Sequence, residues 1–161
     1  MADKIRIATC LWFDKNAEEA ARFYAATFPD SRVIAVHKSP TDYPSGKAGD
    51  TLTVEFTVLG QRFLGLNGGP LFHFDEAVSF QVYCESQAEV DHFWSKLSAG
   101  GEEGPCGWLK DKYGVSWQIV PRVLTELISD PDQEKAQRVM AAMLQMRKIE
   151  ISELEKAAAG A

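Results

Sequence analysis

Glu55 and Gln118 are the side chains of this 161-residue sequence best suited to meet a ligand, because each interrupts an otherwise apolar strand-like run, "TVEFT" and "SWQIV". A carboxylate partly removed from water can accept a proton, and an amide can orient a polar group or hold a developing oxyanion. Residues two apart on a strand share a face, which sets Thr51, Thr53, Glu55 and Thr57 opposite Leu52, Val54, Phe56 and Val58. By the same rule Ser79, Gln81 and Tyr83 oppose Val78, Phe80 and Val82, while Ser116, Gln118 and Val120 oppose Trp117 and Ile119. The apolar faces are expected to meet helices. The polar faces either meet water on the open side of a sheet or line a concavity.

Other reactive types are less organised. The three cysteines show no CxxC spacing, so neither a disulfide framework nor a cysteine zinc site is expected. Cys10 and Cys84 sit in apolar runs and are expected in the core, whereas Cys106, between Pro105 and Gly107, is more exposed but has no partner base nearby. His37, His73 and His92 have no metal-ligand spacing and read as surface or hydrogen-bonded residues. Trp12, Phe13, Phe63, Trp108 and Tyr113 serve either core packing or the walls of a pocket. "NGG" at 67–69 reads as a turn, with close approach to a ligand as its alternative.

The elements that must position these residues come in a repeated order. "IRIATCLWF" (5–13) reads as a strand and "NAEEAARFYAATF" (16–28) as a helix capped by Asn16; strands follow at 32–39, 50–59 and 62–67. The order then restarts with a strand at 77–84, a helix at 86–100 capped by Ser86 with Glu89 in the capping-box position, and short strands around 103–111 and 115–120. At an offset of about 70 residues Asn16 falls on Ser86, Phe23 on Phe93 and Tyr24 on Trp94, the self-similarity of a duplicated module. The expected fold class is α+β: a domain over 1–121 of two tandem βαβββ modules, about 1–70 and 76–121, and a helical extension over 122–161.

In that extension Asp130-Pro131 reads as a cap and first turn, and Ser152 with Glu155 as a capping box. Val139, Met140, Met143, Leu144 and Met146 form a Met-rich face expected to dock on the domain or on a second subunit. A hydrophobic content of 45% can fill a core, and a net charge of -6 argues against nucleic-acid and anionic-membrane partners. The apolar run near the N-terminus is too short for a signal or membrane segment, so the expected location is the cytoplasm.

The strand-helix-three-strand layout, with "LWFDKNAEEAARFYAATFPDS", "GQRFLGLNGGP" and "CGWLKDKYGVSWQIVP", resembles the PhnB-like, demethylubiquinone-methyltransferase-like branch of the vicinal oxygen chelate (glyoxalase, bleomycin-resistance, dioxygenase) superfamily. The resemblance implies a curved, mostly antiparallel sheet around a cleft. Metal-using members hold a divalent ion with four inward-facing side chains, one each from the first and last strands of both modules. Those positions resemble Thr9, Glu55, Ser79 and Gln118, a set with one carboxylate and no imidazole. No metal site is therefore expected beyond a weakly held hard ion such as magnesium through Glu55 and waters, and no other cofactor. A doubly wound methyl-donor enzyme needs a Gly-rich turn between a strand and a helix, and "LNGGP" leads into Pro70 and further strand-like residues instead.

The cleft is expected to be lined by Thr9, Leu11, Thr53, Glu55, Ser79, Gln81, Trp108 and Gln118. Three functions follow. The leading one is a protein that binds a small molecule in this cleft. The second is an enzyme of lyase, isomerase or dioxygenase type, with Glu55 as general base or ligand to a weak metal and with Gln118 and Thr9 as oxyanion donors. The third is an interaction protein using its C-terminal helices. A homodimer is expected, since sheet modules leave edges to cover.

Overall fold

The computed structural model describes residues 6–161; the expected start of the first strand, at Ile5, lies outside the described residues. The chain divides into two compact units, Met1–Phe74 and Asp75–Ala161. The first holds β1 (Thr9–Phe13), α1 (Ala17–Thr27), β2 (Arg32–Lys38), β3 (Thr51–Val58) and β4 (Gln61–Asn67). The second holds β5 (Ser79–Cys84), α2 (Gln87–Ser98), β6 (Glu102–Glu103), β7 (Trp108–Lys110) and β8 (Ser116–Pro121), followed by α3 (Arg122–Ile128), α4 (Gln133–Met143) and α5 (Ile151–Ala159). The tandem βαβββ order is thus present.

Each unit carries a four-stranded sheet of the same topology, β1-β4-β3-β2 and β5-β8-β7-β6. The β1–β4 and β5–β8 pairs are parallel and the rest antiparallel. The segment expected as one strand near 103–111 is two, because the chain turns at Cys106 and Gly107, with φ of 56° and 84°.

In the first unit the alternation in β3 gives one buried face, Val54, Phe56 and Val58, packed under α1. Tyr24 stacks on Phe56 at 6.1 Å and Phe56 on Phe63 at 5.4 Å. Ala17, Ala20 and Ala21 let the helix lie close to the sheet; a Cβ at Gly65 would stand 3.2 Å from that of Ala17. Asn16 occupies the N-cap position but makes no side-chain cap bond. Asn67, buried at the end of β4, replaces it: its Oδ1 accepts from Ala17 N at 2.9 Å and its Nδ2 donates to Thr51 O at 2.9 Å.

In the second unit α2 is capped as expected, Ser86 Oγ accepting from Glu89 N, and Val90, Phe93, Trp94 and Leu97 are buried beside Leu109, Trp117 and Ile119. The tail belongs to this unit. Leu124, Val139, Ile149 and Leu154 form a buried cluster, and Met143 and Met146 pack against it. The Met-rich face thus docks on its own unit, with Met140 and Leu144 left exposed. Two expected caps are corrected. α4 is capped by Asp132, which accepts from Lys135 N, while Asp130 accepts from Asp132 N and pairs with Lys135 Nζ. α5 begins at Ile151, so Ser152 lies inside the helix.

Candidate functional site

Strand register decides which side chains reach the face away from α1. Across the first sheet Cys10, Leu64, Glu55 and Ala35 form one row, Trp12, Leu66, Thr53 and His37 the next, and Arg62, Thr57 and Arg32 a third. Glu55 and Thr53 therefore lie on the predicted polar face. Thr9 and Leu11 do not. They align with Phe63 and Gly65 on the helix-facing side, where Leu11 and Phe13 are buried, and Cys10 and Trp12 take the other face. Cys10 is accordingly exposed rather than in the core, and partial burial of its sulfur raises the thiol above its ordinary pKa.

The cause is one extra residue. Between β1 and α1 the chain has Asp14, Lys15 and Asn16, with Lys15 at φ 69°; between β5 and α2 it has only Glu85 and Ser86. The helices superpose at the offset that sets Tyr24 on Trp94, but the strands require one residue more, so that Cys10 matches Gln81 and Leu11 matches buried Val82.

Glu55 has company that its strand alone does not reveal. Arg62 Nη2 stands 3.8 Å from Glu55 Oε2 and His37 Nε2 3.9 Å from Glu55 Oε1, with the carboxylate side chain 39% exposed. Both partners are diagonal neighbours on adjacent strands, within reach of long side chains. Thr9, on the opposite face, cannot be an oxyanion partner there. The glycine pair after β4 has a structural role: Gly68 N and Gly69 N both donate to Phe13 O, at 3.0 and 3.2 Å, and Trp12 Nε1 donates to Gly69 O at 2.8 Å. A Cβ on Gly68 would come 2.3 Å from the Trp12 indole. These amides are not presented to a ligand, and no strand–glycine–helix turn of the methyl-donor type is formed.

On the second sheet Gln81, Gln118 and Trp108 align in one row and Ser79, Ser116, Lys110 and Glu102 in the next. Gln118 Nε2 donates to Ser79 Oγ at 2.8 Å, Gln118 Oε1 accepts from Gln81 Nε2 at 3.1 Å, and Tyr83 OH donates to Gln81 Oε1 at 2.8 Å. The expected residues Ser79, Gln81, Trp108 and Gln118 are thus brought together. Beside them lies a groove of about 360 Å³, lined by Trp108, Leu109, Pro105, Ser116, Lys110 and Glu102, with Gly104, Glu76 and Glu103 completing it. Lys110 Nζ pairs with Glu76 Oε1 at 2.6 Å, which holds the Glu76 carboxyl below its usual range and raises the Lys110 ammonium. Glu103 Oε1 accepts from Trp94 Nε1 at 2.9 Å.

The strand turn beneath the groove is fixed by buried Asp111. Its Oδ1 accepts from Tyr113 N and Val115 N, at 2.9 and 3.1 Å, and its Oδ2 from Trp117 Nε1 at 2.8 Å.

The donor set implied by metal-using members does not fit this chain. Gln118 lies on β8, the strand paired to β5; the strand paired to β1 is β4, and its matching position holds Leu64. Glu55 is on β3, one strand further out and beside a guanidinium. Thr9 faces α1, and the Gln118 amide is engaged by Ser79 and Gln81. Among the described residues no group of three or more His, Cys, Asp or Glu could hold a metal ion.

The sequence alone missed His37, Arg62 and Cys10 on the first sheet and Glu76, Glu102 and Lys110 around the groove. Lys110 was legible two residues from Trp108 by the period-2 rule. His37 was not, because register irregularities at Val33/Ala35 and His37/Lys38 move it relative to β3.

No curated protein matches the chain. Among solved structures, the PhnB protein of Bacillus cereus is 34% identical, covers 73% of this chain and 99% of its own, and superposes with a TM-score of 0.64. Protein PA1353 of Pseudomonas aeruginosa, 18% identical over 73% of this chain and 98% of its own, has a TM-score of 0.60. The fosfomycin resistance protein FosX of Listeria monocytogenes, solved with Mn(II) and sulfate, shares the fold at 14% identity and TM-score 0.51, over 75% of this chain and 91% of its own. Residues 5–120 match the family described as 3-demethylubiquinone-9 3-methyltransferase, and the chain belongs to this PhnB-like branch of the vicinal oxygen chelate superfamily.

Proposed function

We propose that the chain binds a small molecule on the polar face of its second sheet, in the groove beside Trp108, without a tightly held transition metal. The observation that carries this reading is the groove itself: the Trp108 indole and Pro105 form its apolar wall, next to the ordered Ser79–Gln118–Gln81 chain. Apolar walls supply burial and a few fixed polar groups supply orientation, the usual division in small-molecule sites. The engaged Gln118 amide and the apolar Leu64 support binding without a transition metal. A thermal-shift screen with metabolites and with divalent metals tests it. A metabolite should raise the melting temperature of the native protein by linkage and fail to do so in Trp108→Ala. Stabilisation by zinc, nickel or iron at stoichiometric levels would overturn the metal-independent part.

A second reading, proton transfer at Glu55, is favoured by one observation: His37 stands beside it as an acid partner, with Arg62 to hold the negative charge. Turnover lost in Glu55→Gln but kept in Trp108→Ala would select this reading over the first. The C-terminal interaction surface has less support, since Val139, Met143 and Met146 are already engaged within the chain.

A further inference from the structure

The groove beside Trp108 has a charge as well as a shape, and the charge points to a class of ligand. Two carboxylates, Glu76 and Glu102, stand around it against one ammonium, Lys110. Lys110 pairs closely with Glu76, and Glu102 is its cross-strand neighbour in register. Glu103, the next residue along β6, points to the other face, where it accepts from the Trp94 indole N–H, and takes no part in this balance. Between Glu76 and Glu102 lies a largely apolar wall of Trp108 and Pro105, while Leu109 turns its side chain to the opposite face, into the core under α2.

We infer that the groove takes a small organic cation, an ammonium carrying an alkyl or aryl body, with the body against Trp108 and the charge toward Glu102 and Glu76. This inference rests on the small-molecule reading above and adds the sign of the ligand's charge. Three physical effects agree on that sign. A rim with a net negative charge attracts cations and repels carboxylates and phosphates. The face of an indole attracts a cation within about 6 Å of its centroid. Lys110 is itself an alkyl ammonium whose charged end meets Glu76 while its stem lines the groove, a covalently attached example of the chemistry a free ligand would bring. The chain's net charge of -6 favours the approach of the same class of molecule.

The test uses the full chain and three probes of similar size: benzyltrimethylammonium, benzyl alcohol and phenylacetate. Binding is read by titration of the Trp108 indole N–H signal in nitrogen-15 NMR spectra, assigned with Trp108→Phe, at low and high salt. The ammonium should bind at least about ten-fold more tightly than the alcohol, with phenylacetate weakest, and its affinity should fall as salt screens the rim. Glu102→Gln should weaken the ammonium by about three-fold or more. Lys110→Met should tighten it by a similar factor, because the substitution frees Glu76, and such a gain cannot come from misfolding. If benzyl alcohol or phenylacetate shifts the Trp108 signal as tightly as the ammonium does, the charge assignment is wrong while the small-molecule reading stands. If no probe or metabolite shifts that signal, the groove is not a binding site and both fall.

Discussion

Replacing Asp111 by alanine should destabilise the second unit by about 3–4 kcal/mol. Asp111 is 2% exposed, and its carboxylate accepts from Tyr113 N and from two buried donors, Val115 N and Trp117 Nε1. A buried donor left unpaired costs about 1–3 kcal/mol, and bonds to a charged acceptor lie at the upper end of hydrogen-bond contributions. The Tyr113 amide, at the turn, can be satisfied by water and adds little. Removing a buried charge returns part of its desolvation cost, which keeps the total below the sum of the bonds. Asp111→Asn retains one acceptor and should lose about half as much. Urea unfolding followed by circular dichroism and tryptophan fluorescence measures both, with an unchanged slope expected if only the folded state is affected. A loss under about 1 kcal/mol in Asp111→Ala would refute the idea that this carboxylate holds the β7–β8 turn and, through it, Trp108.

Native-state labelling at pH 8, mapped by peptide mass so that half-buried Cys106 is read separately, should modify Cys10 and spare Cys84, whose thiol is pushed up to about 12 by burial; an unmodified Cys10 peptide would contradict the outward phase of β1. Leu154→Ala should cost about 2–4 kcal/mol in chemical denaturation, since the side chain is fully buried among Leu124, Val139 and Ile149. Gly68→Ala should lower the melting temperature measurably, because its Cβ meets the Trp12 indole, and a neutral result would mean that the indole can move aside. Sedimentation equilibrium at tens of micromolar should show a dimer; a monomer would remove the partner expected from the open sheet edges.

The fold was readable because each unit repeats a strong local pattern: Val54, Phe56 and Val58 alternate with polar residues, and Val90, Phe93, Trp94 and Leu97 recur at helical spacing. The polar faces of β3, β5 and β8 followed from that alternation alone. β1 did not, because "TCLWF" is apolar on both faces and carries no phase of its own; the placement of Thr9 rests on the family resemblance alone, and the longer turn through Lys15 sets the strand one residue out of step with β5. Pairings between distant strands were also invisible. Nothing local in "VHK" or "QRF" shows that a bulged register brings His37 and Arg62 to the same carboxylate.

The stretch that carries Trp108 is tied from behind to the end of the chain. Cys106 N donates to Met146 O at 2.8 Å and Gly107 N to Arg147 O at 2.7 Å, so the connection between α4 and α5 acts as a short backbone partner for the groove's own wall. Gly107 has no room for a side chain there: its Cβ would lie 2.8 Å from Ile119 O and 3.2 Å from Ile149 Cγ1. On the binding reading proposed above, a ligand that steadies the wall would also steady the tail, and by reciprocity loosening the tail would weaken that ligand's binding. The C-terminal helices would then report on the groove from a distance. A protease that nicks the chain between α4 and α5 should work more slowly when the groove is filled, and occupancy can be followed from the far side of the sheet without a probe in the site.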